Sequence, residues 1–181
     1  MRIIAGAFRG RRLHTPKDSR IRPTIDRVRE SVFNIIAGKV PGAKVLDLFA
    51  GTGAMGLEAL SRGARLCFFV DKGPEAVRLI RENVRLCAAQ DMSRIIQAPA
   101  ASAIVRLSSE NELFDLIFMD PPYGEGYIEE TFEIVGEVAL NDALVIAERH
   151  VKDKPPLVPQ IWQTDRERRY GDTLISVYSK L

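Results

Sequence analysis

The chain has 181 residues, of which 26 are Lys or Arg and 24 are Asp or Glu, so its formal net charge is only +2. This length suits one domain with a sizeable core, and 46% hydrophobic with 28% charged residues excludes an intrinsically disordered chain. The apolar runs are too short to span a bilayer, the first residues lack a signal-peptide pattern, and two cysteines are too few for a disulfide framework. We therefore expect a cytoplasmic protein, and a monomer because no long apolar stripe stands out.

The charge is unevenly distributed along the chain. Residues 1–30 contain nine basic and three acidic residues, a local net charge of +6 that leaves −4 for the rest. A basic arm on a mildly acidic body favours a polyanionic partner such as nucleic acid. A solvated, arginine-rich surface segment is the alternative.

Hydrophobic periodicity predicts the elements in chain order. Near the N-terminus, Val28, Val32, Ile35 and Ile36 have helical spacing. From about residue 43 we predict strands at 44–49, 66–70, 95–96, 114–119 and 143–147, with helices after Gly53, from Pro74 and over 128–138. Two last strands, at 161–163 and 173–178, are expected to form an antiparallel hairpin joined by residues 166–171. Strands that alternate with helices indicate a largely parallel sheet covered on both faces.

A glycine-rich loop lies between the strand at 44–49 and the helix that follows it. Residues 51–56 fit the pattern G-x-G-x-x-G, in which the glycines let the backbone approach a ligand and the helix presents free N–H groups. Asp71 stands at the end of the next strand, where a carboxylate can accept hydrogen bonds from both hydroxyls of a ribose. The combination predicts a cofactor that contains a nucleoside, rather than a merely tight turn.

Asp47, within the strand before this loop, distinguishes between cofactors. Its carboxylate would repel the pyrophosphate of a dinucleotide such as NAD, whereas an acidic strand end suits the sulfonium and ammonium groups of S-adenosylmethionine. The order hydrophobic-Asp-hydrophobic followed by Gly-x-Gly resembles motif I of the class I methyltransferases. Asp47 can also cap the loop, and the two roles are compatible.

A second motif, Asp120-Pro121-Pro122-Tyr123, follows the apolar strand at 114–119. It therefore lies at the carboxyl edge of the sheet, where open α/β folds bind their ligands. Two prolines withhold N–H groups and leave carbonyl acceptors, Asp120 adds a carboxylate, and Tyr123 offers a ring on which a base can stack. The set suits an exocyclic amino group of a nucleobase, and it resembles motif IV of the amino-directed N-methyltransferases. A simple proline turn is the alternative.

The ends of the chain carry a more specific resemblance. Residues 1–6, 9–11, 22–30 and 33–34, which include the block RPT-x-D-x-x-R-E, resemble the N-terminal signature of the RsmD-type bacterial 16S rRNA (guanine-N2)-methyltransferases. Residues 170–173 agree with this family before the last strand, so the resemblance covers essentially the whole chain.

The resemblance implies a class I, Rossmann-like methyltransferase fold. The expected sheet has seven strands, mostly parallel, with an antiparallel C-terminal strand and a basic N-terminal extension. We predict a single methyltransferase domain over 1–181, with a basic arm and helix at 1–40 and a catalytic body at 41–181.

The implied function is methyl transfer from S-adenosylmethionine to the exocyclic N2 amine of a guanine in 16S rRNA, within a small ribosomal subunit or an assembly intermediate. The expected catalytic residues are Asp120, Pro121, Pro122 and Tyr123. The expected cofactor-binding residues are Asp47, Phe49, Ala50, Gly51, Thr52, Gly53, Gly56, Asp71, Lys72 and Ser102. The expected RNA-binding residues are Arg9, Arg11, Arg12, Arg22, Arg27, Arg168 and Arg169.

Three of these assignments have alternatives. Ser102 stands in for an Asp or Asn that many class I methyltransferases carry after the third strand, and a backbone carbonyl is an equal substitute. Arg22, Asp26, Arg27 and Glu30 mix both signs at helical spacing, so an intramolecular salt-bridge network is possible there. For Arg168 and Arg169 a solvated turn is as good an interpretation.

For the whole chain, rival functions are a DNA adenine N6-methyltransferase, an NAD-dependent oxidoreductase and a catalytically silent RNA-binding protein. The first normally needs a target-recognition domain for which this chain leaves little room. The second lacks an obvious hydride-transfer site. No metal is expected, because His14 and His150 are isolated in the sequence.

Overall fold

The structure is a computed structural model that describes residues 1–16, 23–122 and 126–181. Its main elements within these residues are, in chain order, α1 (Pro23–Ile35), β1 (Lys44–Leu48), α2 (Ala54–Ser61), β2 (Leu66–Asp71), α3 (Pro74–Leu86), β3 (Ser93–Gln97), α4 (Ala100–Ser109), β4 (Phe114–Met119), α5 (Tyr127–Val135), β5 (Ala139–His150), β6 (Trp162–Tyr170) and β7 (Thr173–Lys180).

The strands form one sheet in the order β3-β2-β1-β4-β5-β7-β6. Strands β1 to β5 are parallel to one another, and β7 runs antiparallel to both β5 and β6. The predicted seven-stranded, mostly parallel sheet is confirmed.

The two faces of the sheet follow from the alternation along β1. Leu46 and Leu48 point into one apolar cluster, which is closed by α4 and α5. Val45 points into the other cluster, which includes residues of α1, α2 and α3. Asp47 lies on the same face as Val45, and it is the acidic exception in a strand whose residues are all buried.

Two strand predictions need correction at the C-terminal end. The fifth strand was predicted over 143–147 but extends over Ala139–His150. Residues 166–171 were predicted to join the last two strands, whereas β6 runs through Trp162–Tyr170 and the turn is at Gly171 and Asp172. Because β6 is an edge strand exposed from residue 163 to 169, its sequence is charged and lacks the apolar alternation that marks a half-buried strand.

Two helix predictions also need correction. Helix α4 was not predicted, although Ala103, Ile104 and Leu107 have helical spacing and are buried. The helix predicted over 128–138 ends as an α-helix at Val135 and continues as one 3₁₀ turn, Gly136–Val138.

Residues 1–16, here called the arm, fold back on themselves and pack against the body. Arg2 and Arg12 form an isolated antiparallel bridge. Ile3, Phe8 and Leu13 are buried in the same apolar cluster as α1 and β1. The arm is basic by composition, but regularly spaced apolar side chains anchor it.

A buried carboxylate in α2 fastens the arm further. The side chain of Glu58 is fully buried and accepts hydrogen bonds from the N–H groups of Ile4 (2.8 Å) and Ala5 (3.0 Å). Its charge is balanced by Arg62, whose Nε lies 2.8 Å from Oε1. Because an acceptor inside the body satisfies the arm's own main chain, the arm is an integral part of the fold.

Across the described residues, none of the helices has the length and apolar character needed to cross a membrane.

Candidate active site at the carboxyl edge of the sheet

Four acidic residues lie at the carboxyl ends of four neighbouring strands. Asp47 is the penultimate residue of β1, Asp71 ends β2, Asp120 follows β4, and Glu148 is near the end of β5. Carboxyl ends of parallel strands meet at one edge, which is where open α/β sheets bind ligands.

Register places three of these carboxylates on one face. Asp47 pairs with Phe118 and Phe118 with Ile146, so these three side chains share a face of the sheet. Asp120 follows Phe118 by two residues and Glu148 follows Ile146 by two residues, so the side-chain period of two places both carboxylates on that same face. We call Asp47, Asp120 and Glu148 the acidic row.

Two cavities, each of about 590 Å³, open beside the acidic row. The first, called the α1-side cavity, is bounded by β1, by α1 and by residues 170–173 of the C-terminal hairpin. The second, called the α4-side cavity, is bounded by Asp71 and by residues 98–101 and 120–122. Both cavities are lined by Phe49, Asp120 and Glu148, so one extended ligand can occupy both.

The glycine-rich loop turns sharply between the two cavities. Phe49 (φ +59°), Gly51 (φ +56°) and Gly53 (φ +77°) all have left-handed backbone conformations. Glycine is the residue that adopts this conformation freely, which accounts for two of the three positions. Phe49 is held there with its ring centroid 5.7 Å from that of Tyr127.

The third glycine of the motif serves packing. A Cβ at Gly56 would lie 2.4 Å from the Phe69 ring and 2.5 Å from Cys67 Sγ. Gly56 therefore lets α2 approach β2, and its N–H donates a 2.9 Å hydrogen bond to Asp47 Oδ2. The loop-capping role predicted for Asp47 is present in the structure, whereas Gly56 is outside the lining of both cavities.

Asp71 connects the glycine-rich loop to the end of β2. Oδ2 accepts from the Gly51 N–H at 2.9 Å and Oδ1 from the Gly73 N–H at 2.8 Å. Each carboxylate oxygen keeps a further acceptor site, so the predicted contact with ribose hydroxyls remains chemically available. Lys72 beside it donates to the Tyr127 hydroxyl at 3.3 Å.

The predicted adenine contact is placed differently from expectation. Ser102 is exposed on α4 and is outside the lining of both large cavities. The wall at this point consists of Ala98, Pro99, Ala100 and Ala101. The structure thus offers an apolar wall and main-chain groups there, which favours the backbone alternative over the Ser102 hydroxyl.

Of the predicted catalytic residues, Asp120, Pro121 and Pro122 line the α4-side cavity, and Tyr123 lies outside the described residues. Asp120 is solvent-accessible within the cavity, although protein encloses it closely. This desolvation, together with the charges of Glu148 and Asp47, raises the pKa of Asp120 well above its ordinary value.

The pKa of Asp47 is raised to about 7, mainly by burial, with a further contribution from the charge of Asp71 and an opposing one from the Gly56 N–H. Among the described residues, no ion pair joins Asp47 or Asp120 to a basic side chain. Carboxylates held in this way favour a cation, because a positive charge would relieve their mutual repulsion.

The residues present fit S-adenosylmethionine. The carboxylate of Asp47 suits its cationic sulfonium and ammonium groups, and Asp71 suits its ribose. Arg29 also lines the α1-side cavity, but its buried guanidinium already pairs within the fold, with Nη2 3.1 Å from Asp26 Oδ1 and Nε 3.6 Å from Glu58 Oε2.

The predicted RNA-binding arginines divide into three groups. Arg11 donates to the Leu86 carbonyl at 2.5 Å and lies over the Phe8 ring, so it serves the fold. Arg22 lies outside the described residues. The exposed ones are Arg9, Arg12, Arg27, Arg168 and Arg169.

Arg9 and Arg27 line the same surface cleft, together with Arg2 and the acidic residues Asp26 and Glu30. The ion pair described in this part of α1 joins Arg29 to Asp26 at 3.1 Å and leaves Arg27 exposed to solvent. Of the four residues named in the salt-bridge alternative, Asp26 is paired, but with Arg29 rather than with Arg27, and Arg27 is accessible to a polyanion.

Several residues at the site were not predicted. Glu148 was missed because the fifth strand was predicted to stop one residue before it, although its position after a buried strand matches that of Asp120. Arg29 belongs to the block RPT-x-D-x-x-R-E but was given no role at the site, and Tyr127 carries no motif of its own. Helices α1 and α5, which are distant from each other in sequence, bring them to the cavities. Asn83 holds the loop to the arm: its Nδ2 donates to the carbonyls of Thr52 (2.9 Å) and His14 (3.0 Å).

The sheet order and this site define a class I, S-adenosylmethionine-dependent methyltransferase. The fold is shared with a SAM-dependent methyltransferase from Agrobacterium tumefaciens, with a TM-score of 0.67 and 18% identity over 88% of this chain and 63% of that one. A Thermus thermophilus protein described as hypothetical superimposes with a TM-score of 0.84 and 30% identity, covering 100% of this chain and 99% of that one.

The chain belongs to the family described as "Conserved hypothetical protein 95", whose model matches residues 1–179. The Escherichia coli K12 protein named "Ribosomal RNA small subunit methyltransferase D" is 34% identical over 99% of this chain and 90% of its own length. The resemblance stated from the sequence motifs is thereby confirmed at the level of the family.

Proposed function

We propose that this protein transfers a methyl group from S-adenosylmethionine to the exocyclic N2 amine of a guanine in small-subunit rRNA. The observation that carries the proposal is the position of Asp120 and Pro121 at the edge of the sheet, with Asp120 on the wall that the two large cavities share. The similarity to the Escherichia coli protein named for small-subunit rRNA methylation supports the choice of substrate.

Orientation of the amine is the main task of this chain's residues. Asp120 and the Pro121 carbonyl accept the N–H groups of the target amine and aim its lone pair at the reacting carbon. Tyr123 remains predicted to stack on the base. S-adenosylmethionine, when bound, supplies a methyl group made electrophilic by the positive sulfur.

The reaction balances without a further reagent. The amine nitrogen forms a bond to the methyl carbon as the carbon–sulfur bond breaks, and the sulfur becomes a neutral thioether. The nitrogen then loses one proton, for which Asp120 is a suitable acceptor because its raised pKa makes it more basic than an ordinary carboxylate.

The RNA is held outside this pocket. A guanine within a duplex cannot reach the edge of the sheet, so the target base is unpaired or turned out of its stack. Phosphate contacts fall to the exposed arginines on the cleft between the arm and α1, including Arg9 and Arg27.

In the test, the protein is incubated with isotopically labelled S-adenosylmethionine and one nucleic acid substrate per reaction. The substrates are small ribosomal subunits, naked 16S rRNA and duplex DNA. We expect label in the rRNA, recovered as N2-methylguanosine after digestion to nucleosides. Label recovered as N6-methyladenine in DNA, or no transfer with any substrate, would overturn the proposal.

Asp120→Ala tests the assigned role in the same assay. Removing one preorganised acceptor is expected to lower turnover by about 10²- to 10³-fold or more. Calorimetric binding of S-adenosylmethionine is expected to stay close to that of the unchanged protein, because Asp71 and the glycine-rich loop remain. Full turnover by Asp120→Ala would contradict the role.

A further inference from the structure

Glu148 occupies a position that the proposed chemistry has not yet used. It lines both large cavities and also a smaller one of about 200 Å³, which is bounded by Pro121, Pro122 and Arg149. Glu148 is thus next to the motif that holds the amine, on the side away from the glycine-rich loop.

Strand register fixes the relation between Glu148 and Asp120. Met119 pairs with Ala147, and the next position along each parallel strand is Asp120 and Glu148. The two side chains therefore leave the same face of adjacent strands, and the charge of Glu148 acts on Asp120. A base amine that reaches Asp120 brings its neighbouring ring atoms within reach of Glu148.

The chemistry of two adjacent carboxylates restricts which base fits. Ionised carboxylates only accept hydrogen bonds. Guanine presents its N2 amine beside an N1–H, so that two donors are adjacent on the Watson–Crick edge. Adenine and cytosine present an amine beside an unprotonated ring nitrogen, which a second carboxylate would repel.

We infer that Glu148 determines the specificity for guanine by accepting the N1–H of the target base while Asp120 holds its N2 amine. The inference rests on the proposed function and deepens it. Discrimination of this kind is strong because a base without the donor leaves the charged acceptor without a hydrogen bond from the substrate inside the site.

The test uses small-subunit rRNA ligated around the position at which the previous experiment locates N2-methylguanosine. One version carries guanosine at that position and the other carries 2-aminopurine riboside, which keeps the 2-amino group but has an unprotonated N1. Single-turnover rates are measured on both versions for the unchanged protein and for Glu148→Gln.

We expect the unchanged protein to methylate guanine about 10- to 100-fold faster than 2-aminopurine. In Glu148→Gln this ratio should fall to near one or reverse, because the glutamine amide can donate to an unprotonated N1. Glu148→Asp should restore a preference for guanine. Removing the neighbouring charge should also lower the pKa of Asp120, so that the acidic limb of kcat/KM moves to lower pH.

Glu129→Gln is the matched control, because Glu129 lines the smaller cavity but neither of the two large ones. It is given no part in binding either substrate. It should keep the ratio of the unchanged protein. Binding of S-adenosylmethionine and the thermal unfolding midpoint are measured for every variant, so that a merely structural role is recognised.

Two results would overturn the inference while leaving the proposed function intact. One is a Glu148→Gln protein that methylates both bases more slowly but with an unchanged ratio. The other is a variant whose defect is confined to the affinity for S-adenosylmethionine, which would assign Glu148 to the cofactor. Failure of the proposed function itself is recognised separately, because rRNA treated with the unchanged protein would then contain no N2-methylguanosine.

Discussion

The carboxyl edge of the sheet and the arm carry the charges that dominate the sequence, but they use them in opposite ways. At the edge, Asp47 and Asp120 face cavities, and desolvation raises the pKa of both carboxylates, with further contributions from the charge of Asp71 on Asp47 and of Glu148 on Asp120. In the arm, by contrast, Arg2, Arg9 and Arg12 are exposed to solvent, and Arg11 donates to a main-chain carbonyl. Arg11 serves the fold, and Ile3 and Phe8 provide the anchoring.

This comparison shows that the net charge of a segment does not identify its binding groups. The acidic body is only −4 overall, yet its carboxylates are concentrated where a ligand enters. The +6 segment is more strongly charged, but only those arginines that lack a partner within the fold are available to RNA. Burial and pairing decide which charges are available to a ligand.

The largest effect is expected at Glu58, which ties the arm to α2. Glu58→Gln removes the charge that faces Arg62 and Arg29, and it leaves an amide donor against the N–H groups of Ile4 and Ala5. Breaking a buried pair of this kind costs about 3–5 kcal/mol of the free energy of unfolding. Urea unfolding measures this.

Glu82→Gln is the control for Glu58, since Glu82 forms an exposed pair with Arg78 at i, i+4. It should lower the free energy of unfolding by less than about 0.5 kcal/mol. Equal effects of the two substitutions would contradict the view that the arm is fastened internally.

A smaller effect is expected at Gly6. A Cβ there would lie 1.8 Å from the Ser61 carbonyl oxygen, so Gly6→Ala forces the arm away from α2. We expect the free energy of unfolding to fall by about 2–4 kcal/mol, because Ile3 and Phe8 lose part of their burial.

Gly10→Ala separates the steric clash from backbone strain. Gly10 has a similar φ (+84° against +81° for Gly6), but a Cβ there meets nothing within 4 Å. Strain alone costs roughly 1–2 kcal/mol. If the two variants unfold at the same urea concentration, the close approach of Gly6 to Ser61 contributes nothing.

The acidic edge should show itself in the pH dependence of stability. Burial raises the pKa of Asp47 to about 7, against about 3.9 in an unfolded chain. The contribution of Asp47 to stability is therefore full below about pH 4 and is lost progressively as the pH rises through 7. Asp47→Asn keeps an acceptor for the Gly56 N–H but does not titrate. Its free energy of unfolding should therefore rise relative to that of the unchanged protein by up to about 1.4 kcal/mol per pH unit in this window.

The measurement compares urea unfolding of the cofactor-free proteins between pH 5 and pH 8. The difference should widen up to about pH 7 and then level off. A constant difference across this range would mean that Asp47 titrates normally and that the edge is not poised for a cation.

The smallest effect concerns single arginines of the cleft. Replacing Arg9 or Arg27 by Gln should reduce the slope of log affinity against log salt concentration by about 0.7–0.9 for each phosphate that the variant no longer neutralises. Arg106→Gln is the control, because Arg106 pairs with Glu110 on α4 at the opposite face of the sheet. The slopes come from rRNA-binding titrations at several salt concentrations, and a change in slope for Arg106→Gln as large as for Arg9→Gln would contradict a localised RNA surface.

Local motifs explain how much of this site could be predicted. The glycine-rich loop, Asp71 and Asp120 were identified because each directly follows an apolar strand, and strand order then brings them to one edge. Helix α4 carried an adequate signal in Ala103, Ile104 and Leu107, but this was missed. The seven-stranded sheet could be predicted because its buried strands are apolar runs in the sequence, and the structure confirms it.

Other features depend on partners distant in sequence. The docking of the arm requires Glu58 and Ser61, which belong to a helix far along the chain, and residues 1–16 alone do not show which helix they contact. The length of β6 was missed because an edge strand in water needs no apolar face. Glu148 gained meaning only when the register placed it beside Asp120.

The sheet order also determines when the pocket can close during synthesis of the chain. Strand β5 stays at an open margin until β7 has been synthesised, because β7 is its neighbour on that side and follows it only after β6 in the chain. The turn before β7, at Gly171 and Asp172, is also a wall of the α1-side cavity. Since chains fold from their N-terminal parts as they emerge, a nascent protein has its glycine-rich loop long before it has a closed pocket. Competence for catalysis is thus acquired last, when the final antiparallel strand is added to the sheet.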